Sequence, residues 1–220
     1  MPISDFFQFL RRCNRRRLAR RQRLHALKHG ESTDYAAWVE RHDTIGDIEQ
    51  AHLLERVARL RTRPLISVLM PVCDASPAWL DQALYSVRTQ LYDHWELCIA
   101  DDASADPRVR ALLARHAAED PRIRIAWRSR VAPGSVVANA ALDLARGEFV
   151  ALLDPADRLP EHALLCIAET CARFPDAALL YSDEDHLDAH GHRCAPSRCD
   201  ARPGARSGPV RGRVPGSSRS

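Results

Sequence analysis

The chain has 220 residues, 45% of them hydrophobic, and a formal net charge of +3. That length holds one substantial domain with extensions. No stretch reaches the roughly 18–20 apolar residues that span a bilayer, and no apolar core precedes a small-residue cleavage site, so the expected compartment is the cytoplasm.

The charge is segregated along the chain. Residues 1–30 carry nine Arg or Lys against one Asp, and residues 194–220 carry six Arg against one Asp. Between 31 and 193 there remain 17 basic and 27 acidic residues. An acidic body is the opposite of a nucleic-acid-binding surface. The seven cysteines are odd in number and show neither Cys-x-x-Cys nor a zinc spacing, so they read as free thiols in a reducing compartment.

Residues 1–62 read as a basic helical extension. Phe6, Phe7, Phe9 and Leu10 precede an arginine-dense stretch, and a later helix carries Ile48, Leu53, Leu54, Val57 and Leu60 before Pro64. Residues 1–30 suit peripheral contact with an anionic membrane as an amphipathic helix, or an ordinary solvated helix.

From Leu65 the pattern alternates strand and helix. Leu65–Met70 is the first strand, and Ser76 with Pro77 opens a helix whose Leu80, Ala83, Leu84, Val87 and Leu91 share one face. Trp95–Ala100 is the second strand, and Asp106 caps a helix with Val109, Leu112 and Leu113 inward. Ile123–Trp127 is the third strand, and Gly134 opens a helix lined by Ala138, Ala141 and Leu142. Phe149–Leu153 is so apolar that a central strand buried on both faces is expected. Pro160 starts another helix, and Ala178–Tyr181 closes the series as a short strand. Repeated β-α units of this length predict a mostly parallel, doubly wound sheet flanked by helices over 63–193. Residues 194–220 are Arg, Gly, Pro and Ser with almost no apolar side chains, which predicts an irregular tail, a shifted or truncated reading rather than the domain's continuation.

Two acidic turns follow predicted strands: Asp101-Asp102-Ala103-Ser104 and Asp154-Pro155-Ala156-Asp157. Open α/β sheets bind ligands at the carboxyl ends of their strands. The glycine-rich phosphate cradles of dinucleotide and P-loop folds are missing, as is a Gly-x-Ser-x-Gly elbow. Carboxylates in place of glycines favour a diphosphate bridged by a metal ion. Asp102 and Asp106 also suit turns and caps, and Asp183–His192 reads more simply as a solvated loop than as a metal site.

The ordered motifs resemble the family-two glycosyltransferases of GT-A fold, and within them bacterial enzymes that build surface polysaccharides. The resemblance runs through Ile66-Ser67-Val68-Leu69-Met70-Pro71-Val72, Gln82–Gln90, Trp95-Glu96-Leu97 with Asp101–Ser104, Asn139–Leu142, Gly147–Asp154 and Tyr181–Asp185. It implies a Rossmann-like GT-A sheet. It also implies a donor pocket at Pro71, Val72, Asp74, Asp102 and Asn139, with Asp102 accepting from the base or ribose. The metal candidates for Mg²⁺ or Mn²⁺ are Asp154 and the neighbouring Asp157, since Ala156 fills the last place of the Asp-x-Asp triplet. Asp183, Glu184 and Asp185 are implied on the sugar or acceptor side.

By that resemblance the protein takes a nucleotide-sugar donor, UDP- or dTDP-linked, and a glycan or lipid-linked acceptor at the inner face of the cytoplasmic membrane. The reaction is inverting transfer in cell-surface polysaccharide synthesis, with no residue nominated as its base. The alternatives are a truncated, catalytically inactive remnant with weak nucleotide binding, and a helical interaction module built on residues 1–62.

Overall fold

The computed structural model describes residues 45–182, together with 39, 185–187, 193–194 and 210–213. The segment 1–30, and the membrane contact expected of it, lies outside the described residues. Among the described residues no helix is long and apolar enough to cross a membrane.

The elements in chain order are α1 (Asp47–Arg59), β1 (Ile66–Val72), α2 (Pro77–Arg88), β2 (Trp95–Asp101), α3 (Pro107–Glu119), β3 (Ile123–Trp127), α4 (Gly134–Leu142), β4 (Phe149–Leu152) and α5 (Ala163–Arg173). Three short strands follow: β5 (His186–Leu187), β6 (Arg193–Cys194) and β7 (Val210–Arg213). The sheet order is β3-β2-β1-β4-β7, parallel except for β7. The α/β sheet flanked by helices is therefore the architecture expected from the alternating pattern.

β1 supplies both cores, because successive side chains of a strand point to opposite faces. Ile66, Val68, Met70 and Val72 pack with Leu80 and Leu84 of α2, Val109 and Leu113 of α3, and Leu164 and Ile167 of α5. Leu69 packs on the other face with Cys98, Ala100 and Val150 against Val137 and Ala141 of α4. The helix α1, grouped by its sequence with the N-terminal extension, packs on the same body. Its Leu53 is buried in the first core, and Arg56 donates to both Glu169 carboxylate oxygens at 2.9 and 2.6 Å.

The apolar run after Gly147 is not the central strand. β1 lies in the middle of the sheet and β4 lies between β1 and β7. Two strands buried on both faces look alike in sequence, so their rank was not legible. The strand expected at 178–181 is reduced to an isolated bridge at Tyr181, and the place beside β4 is taken by Val210–Arg213, from the segment expected to be irregular. The helix expected from Pro160 starts at Ala163, because the Pro160 carbonyl accepts from the Ala163 N–H and from Gln90 Nε2 at 2.7 Å and closes a turn.

Pro71 sits in the middle strand without costing a ladder bond. β4 pairs with β1 only as far as Leu152 opposite Leu69, so β1 is locally an edge at Pro71. At the amino end of the sheet a buried polar cluster fixes β4. Ser67 Oγ donates to Glu96 at 2.6 Å and accepts the Gly147 N–H at 2.9 Å, while Arg124 pairs with Glu96 at 2.6 Å. Gly147 is required by close approach: a Cβ there would lie 2.5 Å from the Leu65 carbonyl oxygen. The hairpin of β5 and β6 belongs to a separate unit.

Candidate functional site

The carboxyl ends of β1 and β2 exit into two turns that hold each other. Asp74 and Ala103 both have left-handed backbones, with φ of 44° and 54°. Asp tolerates that region better than Ala, since its short side chain bonds locally. Here Asp74 Oδ1 accepts the Ala105 N–H at 2.8 Å, and the Asp74 N–H donates to Ser104 Oγ at 3.3 Å. Asp74 therefore spends one carboxylate oxygen on the loop rather than on open space.

Val72, expected to line a pocket, has no exposed surface and packs in the core. It contributes its carbonyl, which accepts the Asp102 N–H at 2.9 Å. Pro71 is half-buried above the end of β4. Asp102 is 1% exposed, and one oxygen accepts Arg128 Nε at 3.0 Å while the other accepts the Ala132 N–H at 2.9 Å. A carboxylate has about four lone-pair positions, so two remain, on a side chain as buried as that of Asp101.

Asp101, read in the sequence as the first residue of a turn, is instead the last residue of β2 and is 1% exposed. Its Oδ1 has no hydrogen-bond partner among the described residues. A buried carboxylate oxygen without a donor is rare and needs an explanation. The sequence carried no signal to choose Asp101 over Asp102, because adjacent residues differ only in which face of the sheet they meet. Asn139 on α4 shows the same condition: its Oδ1 is buried and without a partner among the described residues. Cys73 lies exposed between these groups. Partial burial, and then the charges of Asp102, Asp74 and Asp101, push its thiol pKa up.

The turn after β4 is closed by its own residues. Asp154 Oδ1 accepts the Ala156 N–H at 3.0 Å, and the Asp154 carbonyl accepts the Asp157 N–H at 2.9 Å. Asp154 is exposed, whereas Asp157 is 5% exposed and makes an interaction of its own. A divalent cation does not fit this pair as a two-carboxylate clamp. One carboxylate is buried, Ala156 stands between them, and among the described residues no three His, Cys, Asp or Glu side chains converge. The next residue, Arg158, escaped notice in the sequence, where an arginine beside aspartates looks like their ion-pair partner. It pairs with neither, and burial alone pulls its pKa down.

Asp183 and Glu184 lie outside the described residues. Asp185 belongs with the β5–β6 unit and accepts Arg193 Nε at 2.7 Å.

Among known proteins, the chain is 44% identical over 142 residues to an uncharacterised protein of Sinorhizobium fredii, covering 64% of this chain and 16% of the relative. It is 42% identical over 163 residues to the O-antigen biosynthesis protein RfbC of Myxococcus xanthus, covering 74% of this chain and 12% of RfbC. It is 31% identical over 136 residues to the putative teichuronic acid biosynthesis glycosyltransferase TuaG of Bacillus subtilis, covering 59% and 53%. The chain thus spans between about an eighth and about half of the length of these relatives. The family model of Glycosyl transferase family 2 matches residues 67–180, more than half of the chain, and the protein belongs to that family.

Proposed function

We propose that the edge formed by the carboxyl ends of β1, β2 and β4 binds a nucleotide-diphospho-sugar donor for sugar transfer in cell-surface polysaccharide synthesis. The observation that carries this reading is Asp101 Oδ1, a buried acceptor with no donor among the described residues, at the strand edge where α/β sheets take ligands. A nucleoside brings the matching donors, ribose hydroxyls and base N–H groups. Asn139 Oδ1 offers a second such acceptor. Family membership and the names of the RfbC and TuaG relatives support sugar transfer in surface-polymer synthesis.

In the proposed reaction the acceptor hydroxyl, on a glycan or a lipid-linked glycan, attacks the anomeric carbon. The bond from that carbon to the diphosphate oxygen breaks with its electron pair on the oxygen, and configuration inverts. This chain's residues hold the donor: Asp101 and Asn139 through the nucleoside, with Asp74 fixing the loop that walls it. Asp102 enters only as Arg128 and Ala132 yield part of its carboxylate. The turn at Asp154 lies beside the diphosphate.

Titration calorimetry of the full chain with UDP, dTDP and GDP tests the reading. Binding of one of them, weakened at least tenfold by Asp101→Ala with the melting transition retained, supports it. No binding of any, with or without Mn²⁺, overturns it.

A further inference from the structure

The partly buried arginines of the described residues follow a rule with one exception. Arg88 holds Glu119, Arg122 holds Asp120, Arg124 holds Glu96, Arg128 holds Asp102 and Arg193 holds Asp185. Arg158, equally half-buried, holds no carboxylate among the described residues, and its Nε is buried without a hydrogen-bond partner. Its one recorded contact is a guanidinium stacked 5.7 Å from the Trp79 ring. A guanidinium half-withdrawn from water with its Nε unpaired is costly, and an anion relieves that cost.

Its place in the fold says which anion. Arg158 directly follows the turn at the carboxyl end of β4, and Trp79 stands in the first turn of α2, the helix that leaves β1. β1 and β4 are hydrogen-bonded neighbours, so Arg158 and Trp79, in contact with each other, follow adjacent strand ends at the edge assigned to the proposed donor. Among the described residues nothing acidic pairs with it there: the first turn of α2 carries no acidic residue, and neither Asp154 nor Asp157 pairs with Arg158. At the same edge Ala156 leaves the carboxylates unable to clamp a divalent cation.

We infer that Arg158 binds the diphosphate of the nucleotide donor directly, in place of a resident divalent cation. A planar guanidinium presents paired N–H donors matched to phosphate oxygens, and such charge-assisted bonds are about twice as strong as neutral ones. The donor site is then metal-independent for binding. This inference rests on the donor-binding reading above.

The test is calorimetry of the full chain with UDP, dTDP and GDP in EDTA and again in Mn²⁺, with uridine, thymidine and guanosine as controls. The expected result is a diphosphate bound about equally tightly in both conditions. Arg158→Gln then weakens that diphosphate at least tenfold, Arg158→Lys recovers part of the loss, and the matching nucleoside binds both variants as it binds the parent. A diphosphate that binds only with Mn²⁺, or that binds Arg158→Gln unchanged, overturns the inference and leaves the donor reading standing. No nucleotide bound under either condition overturns both. Should Arg158→Gln not melt cooperatively, the metal comparison on the parent protein and the Arg158→Lys variant decide.

Discussion

Arg128 donates its Nε to Asp102 at 3.0 Å, across 26 residues of chain, and the carboxylate it meets has no exposed surface. The pair ties the loop before α4 to the end of β2. Removing the cation leaves a buried charge with only the Ala132 N–H. Arg128→Met is therefore expected to cost about 2 kcal/mol in urea unfolding, the scale of a lost hydrogen bond to a charged group. An unfolding midpoint equal to the parent's would show that the pair contributes nothing.

The same variant reports on function. If Asp102 takes part in donor binding only when Arg128 yields, Arg128→Met frees the carboxylate, and the favoured nucleoside diphosphate binds more tightly than in the parent. Weaker or equal binding would place Asp102 outside the donor site and leave it a structural residue.

Gly147 is fixed by contact rather than by backbone conformation. Its missing side chain leaves room for the Leu65 carbonyl and for Ser67, whose Oγ would lie 2.7 Å from an added Cβ. Both neighbours belong to or abut β1, and neither is the free end of a flexible chain. Gly147→Ala is expected to destabilise by about 1–3 kcal/mol, as overpacking does in a close-packed interior. Denaturant unfolding of the single variant measures it, and a loss under a few tenths would mean that β4 shifts to make room.

Glu96 sets an acid limit on stability. Burial opposes its charge, yet hydrogen bonds from Ser67 and the Arg146 N–H, with the Arg124 guanidinium, outweigh it and hold its pKa below the ordinary 4.5. A depressed folded value means that the stability it contributes is complete above about pH 4.5 and is lost as pH falls through the lowered value. Asp120, held down chiefly by Arg122, acts in the same direction. The melting temperature is expected to fall between pH 5 and pH 3, and Glu96→Gln to flatten part of that fall. An unchanged slope in the variant would assign the acid sensitivity elsewhere.

Ala156 offers the converse of the Arg158 test. Restoring a carboxylate with Ala156→Asp places an acid beside Asp154, one residue short of the buried Asp157. The variant is expected to gain at least tenfold in diphosphate affinity on adding Mn²⁺, where the parent gains little. Equal metal response in parent and variant would show that this position does not face the diphosphate.

The order of residues alone specifies the series of β-α units from 66 to 173, the Asp106 cap and the helix faces that carry the core. The Asp106 side chain does accept the Arg108 N–H at 2.9 Å, and Leu80, Ala83, Leu84 and Val87 are all buried. These features rest on periodicity and on bonds spanning two to four residues, so a single chain displays them. The acidic strand ends were legible for the same reason. That β1 lies at the centre, and that 210–213 rather than 178–181 lies beside β4, emerges only in the folded chain. It alone showed that Asp102 is closed by Arg128, while the buried Asp101 Oδ1 and Arg158 Nε have no hydrogen-bond partner among the described residues. Each of these depends on which distant residues come together. Pairing between strands, or between an arginine and one of several aspartates, is settled by packing geometry and desolvation, and neither leaves a periodic trace in the order of residues.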